Sequence, residues 1–107
     1  MKAFGLVLAA AFAAGGVVAA IAAEKTITQK GKVFSESSLS VKKGDSLVFL
    51  NDDDVSHNIM SSSSGNEFNL GSQRPGMSTP VTFNKSGSVS VICAIHPRMK
   101  MAVTVTE

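Results

Sequence analysis

From Thr26 onward the apolar residues fall in short stretches, several of them alternating with polar residues at a period of two. That is the spacing of a strand with one buried face. Val89, Val91 and Cys93 share one face, and Met101, Val103 and Val105 alternate with Ala102, Thr104 and Thr106. Leu39 and Val41 flank Ser40, and Val81-Thr82-Phe83 alternates. Ser46–Leu50 is a short apolar run suited to a buried strand, Thr26–Phe34 mixes β-branched residues with Lys and Gln, and Val55–Met60 reads as extended. Lys42-Lys43-Gly44-Asp45, Asn51–Asp54, Ser61–Gly65 and Asn84–Gly87 carry the Asn, Asp, Ser and Gly that turns require. There is no long amphipathic helix and no internal repeat. The pattern predicts an all-β fold, a small Greek-key β-sandwich or barrel with antiparallel strands.

The first residues follow a different rule. Lys2 precedes an apolar and small-residue run from Ala3 to Ala14. Gly15-Gly16 then weakens any helix, and Ala20-Ile21-Ala22 offers the small-x-small pattern of a signal peptidase site. The reading is a signal peptide over residues 1–23, cut after Ala22 or Ala23, with export to the periplasm and one folded domain over 24–107. The alternative is an uncleaved anchor, since Ala3–Ala23 is long enough to reach across a bilayer.

Composition narrows the function. The 107 residues give a formal charge of only +2, and no Lys/Arg run can track phosphates, so nucleic acid is not an expected partner. Loss of the leader removes Lys2 and leaves nothing to hold the domain to a membrane, and a monomer is expected. Tyr and Trp are absent, so six Phe supply all the aromatic volume. The one cysteine, Cys93, excludes an intrachain disulfide. A domain this small with no covalent staple gains from a bound metal.

The chemistry sits in Cys93-Ala94-Ile95-His96-Pro97-Arg98-Met99, where a thiol, an imidazole and a thioether fall within seven residues. The second of the two histidines, His57, follows the acidic run Asp52–Asp54. Two His and one Cys with a weak axial Met form the ligand set of a blue-copper electron-transfer site: soft sulfur favours Cu(I), and imidazole serves both oxidation states. A carboxylate from Asp52–Asp54 in place of the Met would also complete a zinc site. Haem attachment and iron–sulfur clusters need thiolates that the chain lacks. Met60 and Met77 are further thioethers, read as core or surface fillers or as a transient second Cu(I) site. With both histidines taken by the metal, no hydrolytic triad remains, and the chain is not expected to be an enzyme.

These motifs resemble the plastocyanin and amicyanin branch of the cupredoxins over nearly all of Thr26–Glu107. Asn51–Asn58 with its His-Asn pair resembles the segment of the first ligand, and Cys93-x-x-His96-Pro97-x-Met99 resembles the short amicyanin loop. The resemblance implies a cupredoxin-like fold and one type 1 copper held by His57, Cys93, His96 and Met99, with Met101 left to the core. It also implies one-electron exchange with donor and acceptor redox proteins through His96. Ala94 stands where many relatives carry Ser or Thr, so Asn58 is expected to reach the Cys loop through its backbone. Val91 replaces an aromatic two residues before the Cys, and Ser56 replaces the common Pro. The alternative from a different class is a periplasmic copper carrier that delivers the ion instead of electrons.

Overall fold

The computed structural model describes residues 22–107, so the expected leader lies outside the described residues apart from Ala22 and Ala23. Nine strands follow: β1 Glu24–Lys30, β2 Val33–Phe34, β3 Ser38–Lys42, β4 Ser46–Asn51, β5 Ile59–Ser61, β6 Phe68–Asn69, β7 Ser78–Thr82, β8 Gly87–Cys93 and β9 Lys100–Thr106. They form two open sheets, ordered β2-β1-β4-β7 and β3-β9-β8-β5-β6, packed as a sandwich and not closed into a barrel. The sheets are mixed. β1 runs parallel to β4 and β3 parallel to β9, which corrects the wholly antiparallel expectation. Chains that cross from one sheet to the other bring non-consecutive strands side by side, and a period-two pattern carries no record of that direction.

The alternation sets the core. Val89, Val91 and Cys93 of β8 point inward, as do Met101, Val103 and Val105 of β9. Opposite them stand Ile27 of β1 and Leu47 and Phe49 of β4. Four phenylalanines run through this layer in sequence, Phe34–Phe49–Phe68–Phe83, with ring centroids 6.3, 6.0 and 6.2 Å apart. Such aromatic pairs add about 0.5–1.5 kcal/mol each beyond area burial.

At one end the inward row turns polar. Gln29 and Asn51, neighbours across the parallel β1–β4 pair, are both wholly buried. Asn51, expected to start a turn, is the last inward residue of β4. Cys93 closes the opposite sheet at this end. The sandwich therefore delivers buried polar groups and the thiol to one place.

The stretch Thr26–Phe34 is not one strand. Gly31 and Lys32, both at positive φ (64° and 60°), reverse the chain between the paired Lys30 and Val33. This is the geometry of a two-residue hairpin turn with both central residues left-handed. For Lys32 that conformation costs about 1–2 kcal/mol, and its N–H is captured by Asp53 Oδ2 at 2.8 Å.

At the other end Asp45 accepts from Lys42 N–H at 2.8 Å and from Ala23 N–H at 3.0 Å, joining the β3–β4 turn to the start of β1. Those backbone donors, Lys42 first, hold the Asp45 carboxyl below its ordinary value. A depressed folded-state pKa gives stability that is present above the unfolded value and lost as pH falls through the folded one. Stability of the metal-free domain is expected to decline below about pH 4, and Asp45→Asn to flatten that decline. Urea unfolding at stepped pH checks this, and an unchanged acid slope would contradict it.

Candidate metal centre

Three ligand-type side chains meet at the polar end. His57 Nδ1, Cys93 Sγ and His96 Nδ1 lie within 4.8 Å of one another. His57 and Cys93 are wholly buried, and His96 is half-buried. The Nδ1–Nδ1 distance is 3.0 Å, and Sγ stands 3.7 Å from His57 and 3.6 Å from His96. A triangle with these sides has its centre about 2.0 Å from every corner. Metal–imidazole bonds are about 2.0–2.1 Å and metal–thiolate bonds about 2.3 Å. Two ring nitrogens at 3.0 Å need a proton or a cation between them. A proton shared by the rings accounts for their contact but not for a sulfur converging on both. The donor set fits one soft, borderline metal ion.

Each ligand is placed by local structure. His57 lies beyond β4, in a lone antiparallel bridge to Gln73 before β5 begins at Ile59. Cys93 ends β8. The β8–β9 hairpin loop then carries His96 and Met99, closed by bonds from Met99 N–H to His96 O (2.8 Å) and from Cys93 N–H to Met99 O (3.1 Å). Met99 is buried at the end of this loop. Met101 pairs with Val91 inside the β8–β9 ladder and packs in the apolar core, as expected of it.

Hydrogen bonds fix the state of His57. Its Nε2 faces Asp53 Oδ2 at 3.0 Å, and Asp53 is itself only 8% exposed. A carboxylate accepts, so Nε2 carries the proton and Nδ1 presents its lone pair to the sulfur and to His96. The same carboxylate takes Lys32 N–H. Lys32 N–H first, then His57, with Asp54 and Gly31 N–H, hold the Asp53 carboxyl well below the usual range. The acidic run reads from the sequence as a turn with a carboxylate that could serve zinc; in the fold its middle member bonds a ligand ring instead. The signal available in the sequence was the i, i+4 spacing of Asp53 and His57, which is uninformative without knowing that the turn folds inward.

The two ligand segments are also locked together. Ala94 N–H donates to Asn58 O at 2.8 Å, the backbone link expected from the missing Ser or Thr. Asn58 N–H points at Cys93 Sγ at 3.4 Å. The Asn58 carboxamide turns away to Asn69 Oδ1 at 2.7 Å, a partner the sequence did not suggest. Met60 lies in β5 and Met77 stands just before β7 of the other sheet, where its sulfur accepts Arg74 N–H at 3.2 Å.

Comparison with known proteins points the same way. A sequence profile of copper binding proteins of the plastocyanin/azurin family matches residues 21–106. The methylamine utilization protein MauL of Methylorubrum extorquens is 31% identical over 83 residues, which is 77% of this chain and 73% of MauL. Among solved structures, a purple cupredoxin from Nitrosopumilus maritimus superposes with a TM-score of 0.68 at 26% identity, covering 77% of this chain and 99% of that one. A reduced amicyanin variant gives 0.67 at 23% identity, covering 75% of this chain and 79% of its own, and so speaks to the fold.

Asp53→Ala removes the acceptor of both His57 Nε2–H and Lys32 N–H. Metal affinity is expected to fall by about 10- to 100-fold. Competition against a copper chelator checks this, and an unchanged affinity would contradict the assigned role.

Proposed function

The chain belongs to the plastocyanin/azurin family of copper-binding proteins, and from that premise we propose that it is an exported carrier of single electrons whose copper is held by His57, Cys93, His96 and Met99. The observation that carries this reading is a closed ligand triangle with one member, His96, reaching the surface. Copper bound there supplies a one-electron couple between Cu(II) and Cu(I). The chain's own groups do the rest. Cys93 binds as thiolate, steadied by Asn58 N–H. His57 turns its Nε2–H to Asp53, which leaves Nδ1 as the atom that would bind the metal. Met99, buried at the end of the same loop, would complete the ligand set and leave no open place for a substrate, which argues against an enzyme.

A ligand set held by the end of β8, by the His57–Gln73 bridge and by the closed β8–β9 loop changes little between oxidation states, which keeps the barrier to electron transfer low. The same rigidity tells against the copper-carrier reading, since a delivered ion must leave a site whose Cys93 and His57 are wholly enclosed.

The surface around His96 suits a protein partner. A groove there is lined by Ile95, Pro97, Arg98 and Met99 of the ligand loop and by Lys32 and Val33 of the β1–β2 hairpin. Val33 is 61% and Ile95 52% exposed, the two most exposed large apolar side chains among the described residues. Lys32 and Arg98 have no ion-pair partner among the described residues. A redox protein with an apolar docking face and an acidic rim fits this surface, with the chain as a monomer.

Export follows from the leader, and the fold favours one of its two cleavage points. Ala23 N–H donates to Asp45, and Ala23 O accepts from Ser46 N–H at 3.0 Å. A cut after Ala22 keeps both bonds and turns the N–H into an ammonium beside a carboxylate. The intact mass of protein exported by a bacterial host is expected to begin at Ala23; an uncleaved chain or a start at Glu24 would contradict this.

The functional test is stopped-flow reduction of the copper-loaded protein by a small anionic reductant at varied salt. Rates are expected to fall as salt rises. Lys32→Glu and Arg98→Glu should each lower the low-salt rate several-fold, a part of the roughly 10- to 1,000-fold that a whole charged surface supplies by steering. A protein that surrenders Cu(I) to a chelator faster than it exchanges electrons would overturn the reading in favour of the carrier.

A further inference from the structure

We propose that Gln73 is the positioning residue of the metal centre, a tie that fixes His57 against the opposite sheet. The proposal rests on the copper-site reading for the role of His57. Its basis is a buried amide network whose parts the sequence leaves unremarked: Gln73 lies in the weakly periodic stretch between β6 and β7, yet only 1% of it is exposed.

The backbones of Gln73 and His57 bond in both directions, His57 N–H to Gln73 O at 3.0 Å and Gln73 N–H to His57 O at 2.7 Å. This bridge stands alone, with no strand extending it. A two-bond bridge without a ladder opens easily unless something else holds one side. The Gln73 side chain supplies that hold. Its Nε2 donates to Phe49 O of β4 at 2.7 Å, with Met77 O at 3.3 Å and Thr79 Oγ1 at 3.4 Å. Its Oε1 accepts from Gln29 Nε2 of β1 at 2.8 Å. Gln73 O also accepts from Asn51 Nδ2 at 2.8 Å, and Asn51 Oδ1 accepts from Asp53 N–H at 2.9 Å. The residue that pairs with one ligand is thus bolted to β1 and β4, while His57 leads into β5 of the other sheet.

The orientation of the network is forced. Phe49 O and Met77 O can only accept, so the Gln73 amino group must face them and its oxygen must face Gln29. Gln29 then turns its own amino group to Gln73, and Gln29 Oε1 is left with no partner among the described residues. An unbonded buried oxygen is costly. A core built for stability alone would place an apolar residue at 29; a core that must hold one ring in one place has a use for a directional tie.

Hydrogen exchange and copper spectroscopy on the whole mature chain test this, with Gln73→Met, which keeps length and removes the bonds. Val89→Ala, a cavity in β8 remote from the network, serves as a control for general destabilisation. In the metal-free protein Gln73→Met is expected to speed exchange at the His57 and Gln73 amides by at least about tenfold relative to Val91 and Val103. In the copper form it is expected to change the Cu(II) hyperfine coupling and the potential. Val89→Ala should lower thermal stability and move neither readout. Gln73→Met that behaves like Val89→Ala would overturn the proposal. If Gln73→Met does not fold, Gln29→Leu takes its place: faster relative exchange at His57 supports the tie, and none overturns it. Exchange in the metal-free protein is decided without copper, so a failure of the copper reading shows separately, as a wild-type protein without a thiolate–copper signal.

Discussion

His57 is wholly buried, and its Nε2 sits 3.0 Å from the Asp53 carboxylate. Inside a sandwich of this size a buried imidazole must have its N–H satisfied, and satisfying it with a carboxylate decides which nitrogen is left to bind. The rest of the site depends on that choice. With the proton on Nε2, Nδ1 faces His96 Nδ1 and Cys93 Sγ, and the three atoms surround a point about 2.0 Å from each. The same carboxylate oxygen captures Lys32 N–H and so stabilises a left-handed lysine at the tip of the β1–β2 hairpin. That tip forms one wall of the groove beside His96. One side chain thereby orients a buried ligand and shapes the surface through which the site is reached.

The division between the two histidines follows from topology. His57 is fixed between sheets by backbone, carboxylate and amide partners. His96 rides on a six-residue hairpin loop closed at its far end by Met99, and its ring lies at the surface. A rigid inner half and an accessible outer half are what an electron carrier requires, because the inner half preserves geometry and the outer half meets the partner. No disulfide is needed: the Ala94–Asn58 backbone bond knits the two ligand segments together, and the Asn58–Asn69 side-chain bond ties the first of them to β6.

Much of this was legible in the sequence, and the reasons are physical. Val89, Val91 and Cys93 and the series Met101, Val103, Val105 are each determined by a pleat of period two, so strands, faces and the assignment of Met101 to the core followed directly. Cys93 and His96 are scarce residue types in this composition and Met99 lies three residues beyond His96, so the three stood out together. What stayed hidden depends on partners distant in sequence. The parallel β1–β4 and β3–β9 pairings leave no local trace. The Gly31-Lys32 turn was masked because Lys is a poor predictor of positive φ, and only Asp53, folded in from another loop, makes it tenable. Asn51, Gln29 and Gln73 read as ordinary polar residues; their burial is decided by where the sandwich closes.

The central claim is that His57, Cys93 and His96 hold one copper ion through a thiolate bond. It is tested most directly by the visible absorption spectrum of the mature protein titrated with Cu(II), run beside Cys93→Ser. The account predicts an intense band at ~600 nm that saturates at one equivalent, bleaches on reduction and is absent from Cys93→Ser. A colourless copper complex, or a band that survives loss of the thiol, would contradict it.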